Sequence, residues 1–221
     1  MRMCGKVKYM ILYHGSPNRE FVPEYGKGED KHDYGRGFYL TEDIILAREW
    51  AVCNPGGGNG WVHKYCLDCE DLKIFDFESA GILPWLAELM KHRAADSSRR
   101  YRLLSEKFIS RYGVSLDGYD VIRGWRADAS YFYIAKAFVR DEIDLCILEE
   151  LFHMGDLGIQ YCLKSPKAFH VLEEDNASLE MVDYNVFNEK YNVRDRNARI
   201  VMKELIDSEK NKVTDVFSTL L

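Results

Sequence analysis

The side chains best suited to ligand chemistry gather in three short stretches: Tyr13-His14-Gly15-Ser16; residues 35–41, GRGFYLT; and residues 158–165, GIQYCLKS. Each stretch lies at one end of a strand-like apolar run. Strand ends that face one cleft let side chains converge on a ligand while the sheet holds them rigid. A fourth polar cluster, Arg126, Asp128 and Ser130, follows the run GYDVIRGW. Each group also has a plainer reading. His14 is then a satisfied strand-end histidine and Tyr39 a core tyrosine; Gln160 satisfies strand-edge backbone groups; Asp128 or Ser130 caps the next helix, with Arg126 as a surface ion-pair partner.

Two further patterns carry less chemistry. His63, Cys66 and Cys69 in WVHKYCLDC have metal-like spacing, but structural zinc takes four ligands, and the alternation reads as a strand with incidental thiols. NPGGGNG, residues 54–60, has the glycines of a phosphate loop without the following Lys-Ser/Thr pair, so it reads as a flexible turn.

The elements that must position these residues follow from periodicity. KYMILYHG is a buried strand ending at His14, and the Pro, Gly and charge-rich residues 17–36 lie over the surface. GFYLT is a second strand feeding a helix capped by Thr41, whose buried face holds Ile44, Ala47, Trp50 and Ala51. WVHKYCL and LKIFDF read as paired strands, and ILPWLAELMKHR, with Pro84 in its first turn, and SRRYRLLSEKFISRY as two helices. GYDVIRGW is a strand, ASYFYIAKAFV and DEIDLCILEELFHMG are helices, and GIQYCLKS is the final strand. The steady strand-helix rhythm of a doubly wound sheet and the glycine turn of a dinucleotide fold are both missing, so the class is α+β. Residues 1–175 read as one domain and residues 176–221 as a charged helical extension.

With 221 residues, 47% of them hydrophobic, the chain is long enough for one sizeable core. Its net charge of −6 does not favour nucleic acid, although a local basic groove is compatible with it. No apolar run approaches the ~20 residues a membrane span needs, and the opening MRMCGKVKYMILYHG does not read as a signal peptide. A cytoplasmic protein with no membrane partner and six reduced cysteines is the expectation.

LYHGS, DYGRGFYLT with AREWA after it, VIRGWRADASYF and LGIQYCLKSPKAF, in that order and spacing, resemble the bacterial DUF3990 family, which is placed in the ADP-ribosyltransferase superfamily. The similarity spans roughly residues 9–172. It implies a split α/β fold of two small packed sheets with surrounding helices, gripping NAD as co-substrate in a bent conformation. It also implies transfer of ADP-ribose to an unknown acceptor, a protein, nucleobase or small molecule, with release of nicotinamide.

In the His-Tyr-Glu branch of that superfamily, the resemblance puts His14 on the adenosine ribose and Tyr39 under the nicotinamide. An imidazole exchanges hydrogen bonds with a hydroxyl, and a phenol face accepts a cationic pyridinium ring. Gly15 and Gly37 let the backbone approach the ligand, Ser16 belongs to the first motif, Thr41 supports Tyr39, and Arg36 meets the pyrophosphate or is solvated. At the third position the family glutamate is replaced by Gln160, which orients a ribose hydroxyl but supplies no charge to an oxocarbenium-like centre. Asp128, beside Arg126, is the candidate for the missing carboxylate. The alternative from the same residues is a noncatalytic module that binds NAD, ADP-ribose or a protein segment in an inactive pocket.

Overall fold

The computed structural model describes residues 8–53, 56–93, 98–127, 129–154, 158–209 and 216–221. Asp128 lies outside the described residues. In chain order the strands are β1 (Tyr9–Ser16), β2 (Phe38–Thr41), β3 (Gly60–Asp68), β4 (Ile74–Asp76), β5 (Val121–Trp125), β6 (Ile159–Leu163), β7 (Leu172–Glu174) and β8 (Glu180–Val182). The helices are α1 (Ile44–Val52), α2 (Phe77–Ala80), α3 (Ile82–His92), α4 (Arg99–Tyr112), α5 (Ala129–Val139), α6 (Leu145–Met154), α7 (Pro166–His170) and α8 (Tyr184–Glu209). The architecture is mixed α+β.

Among the described residues all eight strands join one sheet, in the order β4-β5-β6-β2-β1-β3-β7 with β8 also on β3, and only β4 and β5 run parallel. This corrects the expected pair of packed sheets. The sheet does have a seam. β1 and β3 share eight register pairs and β2 and β6 four, but β1 and β2 share a single pair, Tyr13 opposite Thr41. Two well-knit halves therefore meet along a line with little backbone hydrogen bonding.

Apolar runs such as VIRGW and IQYCL are continuous because both faces of the sheet are covered. Ile122 and Cys162 face the larger core with Trp85, Phe108 and Phe138, while Val121, Tyr161 and Leu163 face a smaller one with Leu12 and Leu40. A third cluster joins Ala47 and Ala51 of α1 to Val62 and Val182.

Several local expectations are corrected. Helix α1 is capped by Asp43, which accepts from the Ile45 amide at 2.7 Å; Thr41 instead donates to the Ile159 carbonyl at 2.8 Å and accepts from the Asp43 amide. β3 and β4 are not partners, because β3 pairs with β1 and β4 with β5. β6 is not the final strand, since β7 and β8 follow it onto β3. The segment before β2 is not all surface: Asp33, Tyr34 and Gly35 are buried, and the Tyr34 hydroxyl donates to the Trp125 carbonyl at 2.6 Å while accepting from Trp85 Nε1. Helix α8 packs on α1, α5 and α6, and its Met202 is buried in the larger core. Among the described residues, no helix is long and apolar enough to cross a membrane.

Gly15 and Gly37 serve chain packing. A Cβ on Gly15 would stand 2.0 Å from the Ala47 carbonyl oxygen and 2.4 Å from the Ala51 amide; one on Gly37 would stand 2.4 Å from Cys162 Sγ. Helix α1 thus lies directly on the backbone of β1. We predict that Gly15→Ala lowers stability by about 3 kcal/mol, the upper end of usual overpacking costs, because the atoms it meets are backbone. Urea unfolding checks this, and an unchanged midpoint would refute the close packing.

Candidate functional site

The seam opens into a cleft of about 770 Å³, within the size range of small-molecule sites. Of the residues singled out in the sequence, His14, Gly15, Gly37, Tyr39, Arg126 and Gln160 line it. Ser16, Arg36 and Thr41 do not. Ser16 is buried and accepts from the Asn18 amide; Arg36 is turned to solvent and paired with Asp30 at 2.9 Å; Thr41 is fully buried between β2 and β6.

His14 bridges the seam. Its Nδ1 lies 2.8 Å from the Tyr39 carbonyl, so a side chain makes the link that the strand ladder lacks. Burial holds the imidazole down, from 6.5 to about 4, with the nearby His63 adding to the effect and the Tyr39 carbonyl opposing it. At neutral pH the ring therefore carries one proton. A carbonyl only accepts, so that proton sits on Nδ1 and Nε2 is left as an acceptor. Phe21 stacks on the ring at 4.8 Å and Phe38 packs against it at 4.7 Å, fixing its plane.

Tyr39 is held by its hydroxyl, which donates to the Gly35 carbonyl at 2.6 Å and accepts from the Tyr34 amide at 3.0 Å. The ring lies nearly parallel to Tyr34 and 5.3 Å from His32. Burial raises the phenol far above its ordinary 10, so it stays neutral and acts as a surface, not a base. Opposite it in the β2–β6 register is Cys162, whose thiol burial pushes up to about 12; it is no nucleophile at neutral pH.

The cleft floor holds a carboxylate that sequence reasoning missed. Asp33, 6% exposed, takes Arg93 on Oδ1 at 2.7 Å, and the Ala127 amide and Gln160 Nε2 on Oδ2 at 2.7 and 2.8 Å. Gln160 Nε2 also donates to the Trp125 carbonyl at 3.2 Å. Both amide hydrogens are spent on acceptors, which fixes the amide's orientation and leaves Oε1 as the group Gln160 can offer a ligand. While Asp128 lies outside the described residues, a carboxylate is thus present at the floor as Asp33. Its position inside DYGRGFYLT was a usable signal; Arg93, at the end of α3, had none.

On the opposite wall Arg126 lies over the Trp50 ring at 5.3 Å and 3.9 Å from the buried Glu49. Lys27 and Lys31 line the mouth; Lys27 pairs loosely with Glu24 at 3.7 Å, and Lys31 has no ion pair among the described residues. His32, an exposed residue, also lines the cleft. His63 is bound to Glu174 at 2.7 Å and lies 3.2 Å from the Asn18 carbonyl, and no group of three or more metal-ligating side chains occurs among the described residues.

The family model described as "Protein of unknown function (DUF3990)" matches residues 10–173, most of the chain. The chain belongs to the DUF3990 family. No curated protein matches it. The matched segment of this DUF3990 member contains every cleft-lining residue named above and ends before α8.

Two outcomes follow for the DUF3990 cleft. Between pH 6.5 and about 4 the unfolded chain binds a proton at His14 that the folded chain does not, so stability falls as pH drops through that window, by on the order of 3 kcal/mol. His14→Asn keeps a donor toward Tyr39 and removes the titration; its urea-derived stability should lose that slope relative to the unaltered protein. Gln160→Glu puts a second carboxylate 2.8 Å from Asp33 in place of a donor. It should cost about 3 kcal/mol at neutral pH and less in acid, where one carboxyl takes a proton; equal stability at neutral pH would refute the pairing.

Proposed function

We propose that the protein is an NAD-dependent ADP-ribosyltransferase. The observation that carries this reading is the convergence of His14, Tyr39 and Gln160, from three strands, on one cleft at the seam of the sheet. The likeness of the motifs to the ADP-ribosyltransferase superfamily gives the three residues their roles. NAD supplies the glycosidic bond between ribose and nicotinamide, which breaks to transfer ADP-ribose and release nicotinamide.

The donor set fits such a ligand. His14 Nε2 is an acceptor for an adenosine-ribose hydroxyl, and the locked Tyr39 ring is a flat platform for nicotinamide. Gln160 Oε1 accepts from the nicotinamide ribose. The Asp33 carboxylate behind the amide draws on its N–H and enriches the carbonyl oxygen, a cooperative effect of linked hydrogen bonds. The pyrophosphate falls to Arg126 and Lys31, in place of the solvent-facing Arg36. A protein, nucleobase or small molecule is the acceptor.

One observation favours a second reading, binding without transfer. Gln160 is neutral, and Arg93 holds the nearest carboxylate, so little negative charge is free to meet the cation that grows as the bond breaks. NAD and ADP-ribose should both raise the melting temperature, because a ligand that binds only the folded state stabilises it, by about 2.7 kcal/mol at a hundred times Kd. Tyr39→Ala and His14→Ala should each weaken that binding at least tenfold. Nicotinamide released from NAD in the presence of a cell extract as acceptor source marks transfer; binding with no release marks the second reading, and no shift with either nucleotide overturns both.

A further inference from the structure

The loop between β1 and β2 carries part of the cleft wall, from Phe21 to Lys31, and its entry is held at one buried point. His63, opposite His14 in the β1–β3 register and 2% exposed, turns its two ring nitrogens to different parts of the chain. Nδ1 lies 2.7 Å from the Glu174 carboxylate on β7, and Nε2 lies 3.2 Å from the Asn18 carbonyl in the loop. Asn18 is gripped from both sides, since its amide donates to Ser16 Oγ. Three residues further on, the Phe21 ring is enclosed by aromatic neighbours, 4.8 Å from His14, 5.7 Å from Phe38 and 5.9 Å from His63.

We infer that His63 is a positioning residue that latches the cleft loop through Asn18, holds Phe21 on the His14 ring, and grips only when both of its ring nitrogens carry a proton. The inference rests on the nucleotide reading above for what His14 binds, and on the His63 contacts alone for the latch. A carbonyl only accepts, so the Asn18 contact needs a proton on Nε2, and the Glu174 contact needs another in its own gap. With one proton removed, the charge-assisted bond to Glu174 persists as the stronger of the two. Nε2 then turns a lone pair toward the Asn18 carbonyl, and attraction becomes repulsion. Asn18 moves off and Phe21 loosens on His14. The titratable groups facing His63 set the balance. Glu174 from β7 favours the second proton, and His14 from β1 opposes it only once it takes its own proton at about 4. Tyr65, two residues along β3, stays neutral because burial raises its phenol above the ordinary 10.

Ligand and pH together separate the latch from a general structural role. His63 stands beside His14, on the adenosine side, and nicotinamide is assigned to Tyr39. ADP-ribose affinity, measured from about pH 5 to about pH 9 to include an imidazole beside a carboxylate, should fall as the His63 ring signal titrates. The fall should be about fivefold, the usual net worth of one hydrogen bond. Nicotinamide affinity should stay flat across that step. Glu174→Gln removes the acid that favours the second proton, so the step should move about one pH unit toward acid. His63→Leu should give the weakened ADP-ribose affinity at every pH. His32, the cleft imidazole 5.3 Å from Tyr39, is the control, and His32→Asn should leave the step in place. A purely structural His63 lowers both ligands together and leaves no step; a flat profile in the unaltered protein, or a step that survives in His63→Leu, overturns the latch.

The ligand-free protein gives a readout independent of any nucleotide. The NOE between the Phe21 and His14 rings should weaken as His63 loses its proton and be weak in His63→Leu throughout. An NOE that stays constant across the titration overturns the positioning. Should His63→Leu not fold, Glu174→Gln and the unaltered protein carry both measurements. Failure of ADP-ribose to bind at any pH overturns the nucleotide reading, and the NOE then decides the latch by itself.

Discussion

The cleft depends on a buried anion. Asp33 sits in a chain segment without helix or strand, and its two oxygens gather the end of α3 through Arg93, the end of β5 through the Ala127 amide, and β6 through Gln160. Taking a carboxylate out of water costs several kcal/mol, and the cost is offset only when its lone pairs are filled. Three donors do so here, one of them charged. Those donors come from parts of the chain far apart in sequence, so satisfying one acid fixes the floor's geometry. The neighbouring Tyr34 repeats the device with a neutral group, joining Trp85 and the Trp125 carbonyl through one hydroxyl.

The seam above that floor is the second constraint. Between β1 and β2 most of the ladder is absent, and backbone groups left unpaired inside a protein are expensive. His14 meets part of the demand by binding the Tyr39 carbonyl with its own ring nitrogen. Burial, not the link, costs the imidazole its charge, and the second nitrogen is left as an acceptor. Structure and recognition therefore use opposite edges of one ring. Tyr39 divides its labour similarly: its hydroxyl is spent on Gly35 and Tyr34, and its ring borders the cleft.

Long periodic elements were legible in the sequence and short charged ones were not. Pro84 in its opening turn marked α3, and continuous apolar runs marked β5 and β6, because each is a local consequence of burial. β7 and β8, three residues each and rich in glutamate, are strands only because β3 offers them a partner, which is a tertiary fact. His14, Tyr39 and Gln160 lie in polar motifs beside apolar runs, and the resemblance, not the spacing, singled them out; the fold brings all three to one cleft. Asp33 was passed over within a quoted motif, since its donors at 93, 127 and 160 cannot be read from a linear chain. Arg36, which the sequence leaves open between the pyrophosphate and solvent, turns its fork outward to Asp30.

The charge balance of the cleft runs against that of the chain. The protein as a whole carries −6, yet the buried acid of the cleft floor is matched, Asp33 by Arg93, and so is Glu49 behind the wall, by Arg194. Arg126 remains on the wall and Lys31 at the mouth. A glutamate at position 160 would crowd a second anion against Asp33, whereas glutamine offers two hydrogens to acceptors already in place. The amide is therefore the residue this floor requires, and its neutrality is a consequence of where Asp33 stands. A cationic wall, an acceptor on His14 and a neutral aromatic platform together select for a ligand with anionic, hydroxyl and planar parts, which is a narrower specification than any one of the motifs supplied.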